Sequence, residues 1–248
     1  MSPQRIATRA LNSARVRLKR KLESLRPGER IRASQDASLL VDRFPQLAEY
    51  AELSRPIEAS LSRLHEEYVS GVSSRIMAAS LEVSCFLRCF LELVEASHVA
   101  DLGSGFSSLV LRLRMAHDPS LKVWSVDDNP YWLGKTEDYL VQHGVNIERL
   151  LDWTSFVAEV EAGQRFDVLF HDAGSMEFRA DVLETVIAAV RPGGWILLDD
   201  MHKRDYRERA LKILARNGVP AWSLRAFTLD GLTRFAFLAH RPSNSSAD

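Results

Sequence analysis

From His98 onward the chain changes rhythm, and that change limits the folds open to it. Short β-branched or apolar runs at 98–102, 121–127, 147–151, 166–172, 194–200, 221–226 and 232–240 alternate with helical periods at 106–116, 130–143, 154–161, 177–190 and 203–216. Strands separated by helices pair in parallel, because each crossover returns the chain to the same end of the sheet. The expected class is therefore α/β: a doubly wound, mostly parallel, seven-stranded sheet. The last two runs have no helical period between them and are joined by the turn Leu229-Asp230-Gly231. They are expected to be antiparallel neighbours, with the last strand running against the rest.

Upstream, residues 34–97 read as helical, most strongly from Pro56 to Ala96, with breaks expected near Phe44-Pro45 and near Gly71. Residues 78–94 are apolar on most faces, as suits a helix packed on the sheet. The first 32 residues carry ten Lys or Arg against two Glu, a net +8, while the remainder carries a net −9. Within this basic stretch, Ile6, Leu11, Leu18, Leu22 and Leu25 give an incomplete helical stripe over 5–25, stopped by Arg26-Pro27-Gly28. Three uses stay open for residues 1–30: a mobile solvated tail or a helix docked on the acidic body, a helix for a membrane surface or protein partner, or an arm for nucleic acid. A nucleic-acid partner is disfavoured, since the body supplies no basic surface to extend the arm. The layout expected is a basic tail (1–33), a helical cap (34–97), a core (98–241) and a polar, frayed tail (242–248). No apolar run reaches the ~18 residues of a membrane-spanning helix, and the basic start lacks the apolar centre of a secretory signal. Cys85 and Cys89 stand four apart in an apolar helical run. Two small core residues are expected there, with no disulfide framework and a reducing, cytoplasmic location.

The chemistry concentrates where strands end. The first strand runs into Asp101-Leu102-Gly103-Ser104-Gly105, with a helix starting near Phe106. Two glycines allow a ligand to approach the backbone closely, at the strand edge where open α/β sheets bind ligands. A pyrophosphate site would prefer a third glycine, but Ser108 stands there, and Asp101 puts a carboxylate close by that repels phosphate and suits an ammonium group. Asp127 ends the second strand, 24 residues after Gly103, placed to accept from both hydroxyls of a ribose. Asp128 shares that tip, and Asp128 or Asn129 is also placed to cap the helix opening at Pro130. Ribose recognition without pyrophosphate recognition points to a nucleoside ligand.

Asp101-Leu102-Gly103-Ser104-Gly105, then Asp127, then Phe166–Asp172, then Arg191-Pro192-Gly193-Gly194-Trp195 together resemble the class I S-adenosylmethionine-dependent methyltransferases over about residues 95–240. The resemblance implies a Rossmann-like sheet with an antiparallel last strand, and S-adenosyl-L-methionine as cofactor. It implies that Gly103, Ser104 and Gly105 line the methionine moiety, with Asp101 near its ammonium. Asp127 and Asp128 would lie at the ribose, and Asp152 and Trp153 near the adenine.

Two further strand ends are acidic: His171-Asp172-Ala173-Gly174 and Leu198-Asp199-Asp200-Met201-His202. Carboxylates crowded at one sheet edge repel one another unless they are protonated or bridged by a cation. Hard oxygen ligands suit Mg²⁺, Mn²⁺ or Ca²⁺. This is similar to the cation-dependent O-methyltransferases of the catechol and caffeoyl-CoA type, and that likeness implies a divalent ion on Asp172, Asp199 and Asp200. Where that subfamily carries a lysine often taken as general base, this chain has Ser175. His171 and His202 are then the nearest candidates, alongside Asp172, for a catalytic role. Substrate-facing candidates outside the sheet are His65, Glu66, Tyr68, Arg75 and Met77, with Gly174-Ser175 as a flexible rim. The expected reaction is O-methylation of a small-molecule hydroxyl, by a chain that is a candidate homodimer. The competing readings are methylation of a macromolecule or a nitrogen acceptor, a nucleoside-binding protein without catalysis, and a dinucleotide oxidoreductase.

Overall fold

A computed structural model describes residues 27–243. The basic helix expected over 5–25 and the end of the polar tail lie outside the described residues. Pro27 opens a helix, α1 (Pro27–Arg43), consistent with proline's fixed φ at a helix start. A 3₁₀ turn (Pro45–Glu49) follows, then α2 (Tyr50–Gly71) and α3 (Leu81–Leu93). Both expected breaks are present, but the second is a whole loop over 72–80, so the helical run from Pro56 to Ala96 is two helices. Ser80 caps α3, its hydroxyl accepting from the Val83 amide at 3.2 Å.

The sheet then forms from β1 (His98–Leu102), β2 (Lys122–Asp127), β3 (Leu150–Asp152), β4 (Phe166–His171), β5 (Val190–Leu198), β6 (Ala221–Ser223) and β7 (Phe237–His240). The helices are α4 (Phe106–Met115), α5 (Pro130–Gln142), α6 (Trp153–Glu161), α7 (Met176–Asp181), α8 (Leu183–Ala189), α9 (Arg204–Arg216) and α10 (Arg225–Thr228). Strand order is β3-β2-β1-β4-β5-β7-β6, with β7 antiparallel to both β5 and β6. This is the seven-stranded, mostly parallel sheet read from the sequence, with its last strand reversed.

Several boundaries differ, and the strands expected at 221–226 and 232–240 are shorter, at Ala221–Ser223 and Phe237–His240. The strand expected at 147–151 forms at its C-terminal end only, and β5 starts earlier, its Gly193-Gly194 segment lying where the β4 register shifts. The helix expected at 177–190 is two, meeting at Val182. The turn expected to join the last two strands directly is preceded by α10, a one-turn helix. Its Thr228 hydroxyl donates to Leu224 O and accepts from the Ala236 amide, closing the connection locally.

Alternate residues of the central strands feed two cores. Ala100, Leu102, Leu169, Ile196 and Leu198 face the layer of α6–α9. Val99, Val168, Phe170 and Leu197 face α3 and α10. Phe86 and Phe90 of α3 stack at 5.7 Å, and Phe90 meets Trp195 edge-on at 5.4 Å. Sealing both faces is what parallel sheets require, and it explains the unbroken apolar runs Val168–Phe170 of β4 and Trp195–Leu198 of β5. Cys85 and Cys89 are both buried, the small core residues expected. Among the described residues, no helix is long and apolar enough to cross a membrane.

Candidate active site

Strand order reverses between β1 and β4, so the chain leaves β1 and β4 in opposite directions and opens a crevice at their carboxyl ends. Gly103 turns the chain out of β1 with φ of +99°, its amide bonding Val126 O at 2.9 Å. A Cβ at Gly103 would lie 2.5 Å from the Asp172 carbonyl oxygen. The glycine is therefore required by the backbone leaving β4, quite apart from any ligand. A Cβ at Gly105 would lie 2.7 Å from the Tyr68 hydroxyl. A tyrosine of α2 thus roofs the glycine turn.

Asp127 stands beside that turn. Its Oδ2 accepts from the Ser104 amide and hydroxyl, each at 2.9 Å, and its Oδ1 accepts from the Asn129 amide at 3.0 Å. Burial pushes its carboxyl up, against these bonds, which pull it down. Each carboxylate oxygen has two acceptor sites, so Oδ1 keeps one for a hydroxyl. Asn129 caps α5, accepting from the Tyr131 amide at 3.0 Å. Asp128 is no cap: a Cβ at Gly174 would lie 2.9 Å from its Oδ2, so its carboxylate reaches across the crevice to the rim after β4.

Asp101 lies deeper than the sequence suggests. It is fully buried, and Ser108, standing where a dinucleotide site has its third glycine, donates to its Oδ2 at 2.5 Å and accepts from the Gly105 amide at 3.1 Å. Arg112, also buried, donates to Ser125 Oγ at 2.5 Å and to the carbonyls of Asn146 and Glu148. Burial drives Asp101 up to about 6, with Ser108 and Arg112 opposing. Its Oδ1 is buried with no hydrogen-bond partner. Asp152 caps α6 through the Ser155 amide at 2.7 Å, and Trp153 packs edge-on against Phe178 at 5.3 Å. Together Trp153 and Phe178 form an aromatic corner beyond Asp127.

Beside this half, the ends of β4 and β5 carry the acidic cluster. The bridging cation is Arg179 of α7. Its Nη1 lies 2.6 Å from Asp172 Oδ1 and 3.1 Å from Asp200 Oδ2. Lys203 Nζ adds a contact to Asp200 Oδ2 at 2.8 Å. Among the described residues, no group of three or more His, Cys, Asp or Glu side chains is arranged to hold a metal ion. The set Asp172, Asp199 and Asp200 therefore does not fit the divalent ion that the resemblance implied.

Burial, with the neighbouring carboxylates, raises Asp172 well above the usual range even though Arg179 opposes it. Burial also lifts Asp199 to about 6, while Arg179 and Lys203 outweigh burial at Asp200 and hold it low. Neither Asp199 nor Asp200 caps α9, whose N-terminus has no side-chain cap. Asp199 Oδ1 instead accepts from the Asp200 amide at 2.7 Å, in a turn where Asp200 has φ of +57°.

The two histidines separate. His171 is fully buried, and its Nε2 donates to the Arg179 carbonyl at 2.9 Å. A carbonyl only accepts, so the proton sits on Nε2 and Nδ1 is left with a lone pair; that Nδ1 is buried and unpartnered. Burial lowers the ring to about 4. His171 thus supports Arg179 from the interior, out of reach of a substrate. His202 is partly exposed, with Nδ1 3.4 Å from Asp200 Oδ1, and burial lowers it below its ordinary value. Ser175, at the expected lysine position, caps α7 through the Phe178 amide.

Of the candidates outside the sheet, Tyr68 alone reaches the glycine turn. His65 is buried against Phe106 and bonds Ala79 O at 3.1 Å, Glu66 and Arg75 pair on the surface at 2.6 Å, and Met77 is exposed. Sequence reading missed three contributors. Arg179 stands inside the helical run expected at 177–190, where no motif marks it. Tyr206 sits among the carboxylates with a buried, unpartnered hydroxyl. Arg234 holds the 72–80 loop through Ile76 O and Ala78 O, both at 3.0 Å.

No protein-family model matches the sequence, and no curated protein is similar in sequence. Solved structures do match. The O-methyltransferase TomG of Streptomyces achromogenes, in complex with S-adenosylmethionine, superposes with a TM-score of 0.56 at 18% identity, over 75% of this chain and 89% of its own. An O-methyltransferase of Bacillus cereus with S-adenosylhomocysteine gives 0.54 at 14% identity, over 73% and 90%. A Podospora anserina methyltransferase, also with S-adenosylhomocysteine, gives 0.52 at 11%, over 68% and 80%. The chain therefore carries the fold on which these methyltransferases are built, with its glycine turn and its strand-end carboxylates at the carboxyl edge of that sheet.

Proposed function

We propose that the chain is an S-adenosylmethionine-dependent methyltransferase acting on a hydroxyl of a small molecule. The observation that carries this reading is the Asp127 carboxylate beside the Gly103–Gly105 turn at the reversal of strand order, under the Tyr68 hydroxyl. The residues present fit an adenosyl sulfonium. Asp127 keeps an acceptor site for ribose, Trp153 and Phe178 offer aromatic faces for adenine, and the orphaned Asp101 Oδ1 supplies negative potential under the turn. When bound, S-adenosylmethionine supplies an electrophilic methyl: the acceptor oxygen bonds to that carbon while the carbon–sulfur pair returns to sulfur. The chain's part is to orient the acceptor oxygen in line and take its proton. His202 is the residue for that second task. It is neutral near pH 7 because burial holds it down, and it stands beside Asp200, which stabilises the charged ring after proton transfer.

The apolar rim supports an acceptor with an apolar or aromatic body. Ile76 and Met77 on the 72–80 loop and Leu232 on the loop before β7 are all exposed. Arg234 ties the two loops together.

The test is transfer of label from S-adenosylmethionine to a panel of phenolic, enolic and carboxylate acceptors. Turnover is expected, with kcat/KM rising through a pKa below 6.5 and then levelling, as the base loses its proton. His202→Ala should lower kcat by ~10²–10⁴ and remove that limb. Binding of S-adenosylhomocysteine that fails for the wild type, or that survives Asp127→Ala undiminished, refutes the reading.

A further inference from the structure

Carboxylates on adjacent parallel strand ends make a donor set suited to a hard divalent ion, and this chain fills that place with a side chain of its own. Arg179 is held at several points. Nη1 lies between Asp172 Oδ1 and Asp200 Oδ2, ion-paired with the first at 2.6 Å and donating to the second at 3.1 Å. Nε donates to Ala173 O at 3.1 Å. The residue's own carbonyl accepts from the buried His171 ring at 2.9 Å. Lys203 Nζ occupies Asp200 Oδ2 from a further direction at 2.8 Å. A divalent ion would need these same oxygens at ~2.0–2.6 Å. That position lies against Nη1 and Nζ, positive charge against positive charge, in a site with little water to screen them.

We propose that Arg179 is the resident cation of this site, a guanidinium standing in for a divalent metal between Asp172 and Asp200. The assignment deepens the methyltransferase reading and rests on it where the acceptor is concerned. A metal offers open coordination positions and sharply acidifies a bound hydroxyl. A guanidinium offers hydrogen-bond donors but no coordination position, and it acidifies a neighbouring hydroxyl far less than a metal does. The acceptor must bring its own acidity, as a phenol or an enol does and an alkyl alcohol does not. Its proton passes to His202, the oxygen–methyl bond forms, and the methyl–sulfur bond breaks with its electron pair on sulfur, so no other reactant is needed.

The experiment is Mn²⁺ binding to the full chain, stripped with chelator, read from the spin-resonance signal of free Mn²⁺. Wild-type protein is expected to take up none at millimolar ion. Arg179→Ala is expected to take up one, and adding Asp172→Asn to abolish it; Arg179→Gln serves if the alanine variant does not fold. Wild-type uptake that Asp172→Asn abolishes overturns the proposal, and so do folded Arg179 variants that stay free of metal. Calorimetry with S-adenosylhomocysteine on the same samples keeps the two questions apart. A wild type that does not bind it refutes the methyltransferase reading and leaves the Mn²⁺ result standing. Metal uptake by a wild type that does bind it refutes the cation assignment alone.

Discussion

Gly103 shows how one residue can serve the fold and the crevice together. Its φ of +99° lies where side chains are strained, and a Cβ would meet the main chain of Asp172 and Ala173 rather than a movable side chain. Gly103→Ala is therefore expected to cost about 2–4 kcal/mol, combining backbone strain and overpacking, read as a lowered urea midpoint with unchanged slope. The sequence marked this glycine for the right place and an incomplete reason: spacing identifies a tight turn after a strand, but only the structure shows which backbone fills the space. Asp127 was legible because a strand tip fixes where its carboxylate emerges. The cation was not legible. Three acids in two strand ends announce a charge problem, yet whether its solution is a metal, a proton or an arginine seven residues away depends on where a short helix aims one side chain. His171 and His202 looked alike in sequence for the same reason. Strand parity buries one ring, and the loop after β5 leaves the other half open.

At the level of elements, the loop over 72–80 connects α2 to α3 and is tied to the connection into β7. It is held by His65 from α2 and by Arg234 from the connection into β7, which Asp230 positions at 2.7 Å. Arg234→Ala leaves the Ile76 and Ala78 carbonyls without that donor. Faster amide exchange confined to 72–80 is expected, with a global loss of about 1–3 kcal/mol. A higher KM for the acceptor with kcat little changed should accompany it; exchange spread evenly over the sheet would contradict a local tether. Elements with strong periodicity, β1, β2, β4, α4 and α9, were legible in the sequence nearly to the residue. Apart from β5, which starts earlier than expected, those that differ are short. β3 pairs over three residues, α10 makes one turn, and α7 and α8 divide at Val182. In such pieces tertiary contacts outweigh local pattern, which no single-sequence rhythm records.

For the whole molecule, the two-sided core makes the sheet rigid and leaves ligand response to its carboxyl edge. S-adenosylhomocysteine at a hundred times its Kd should stabilise the folded state by about 2.7 kcal/mol. For a chain of this length that raises Tm by roughly 5–10 °C, measurable by scanning fluorimetry, while NADH should leave Tm in place.

The borders of the sheet carry a consequence for self-association. Both outermost strands, β3 and β6, are three residues long. At the β6 border the Ser223 amide is already taken by the Asp36 carboxylate of α1 at 2.9 Å. Such margins are poor templates for another copy to zip onto. If two chains pair, they will meet through helical surfaces, and a peptide mimicking β6 will neither recruit the protein nor seed its aggregation.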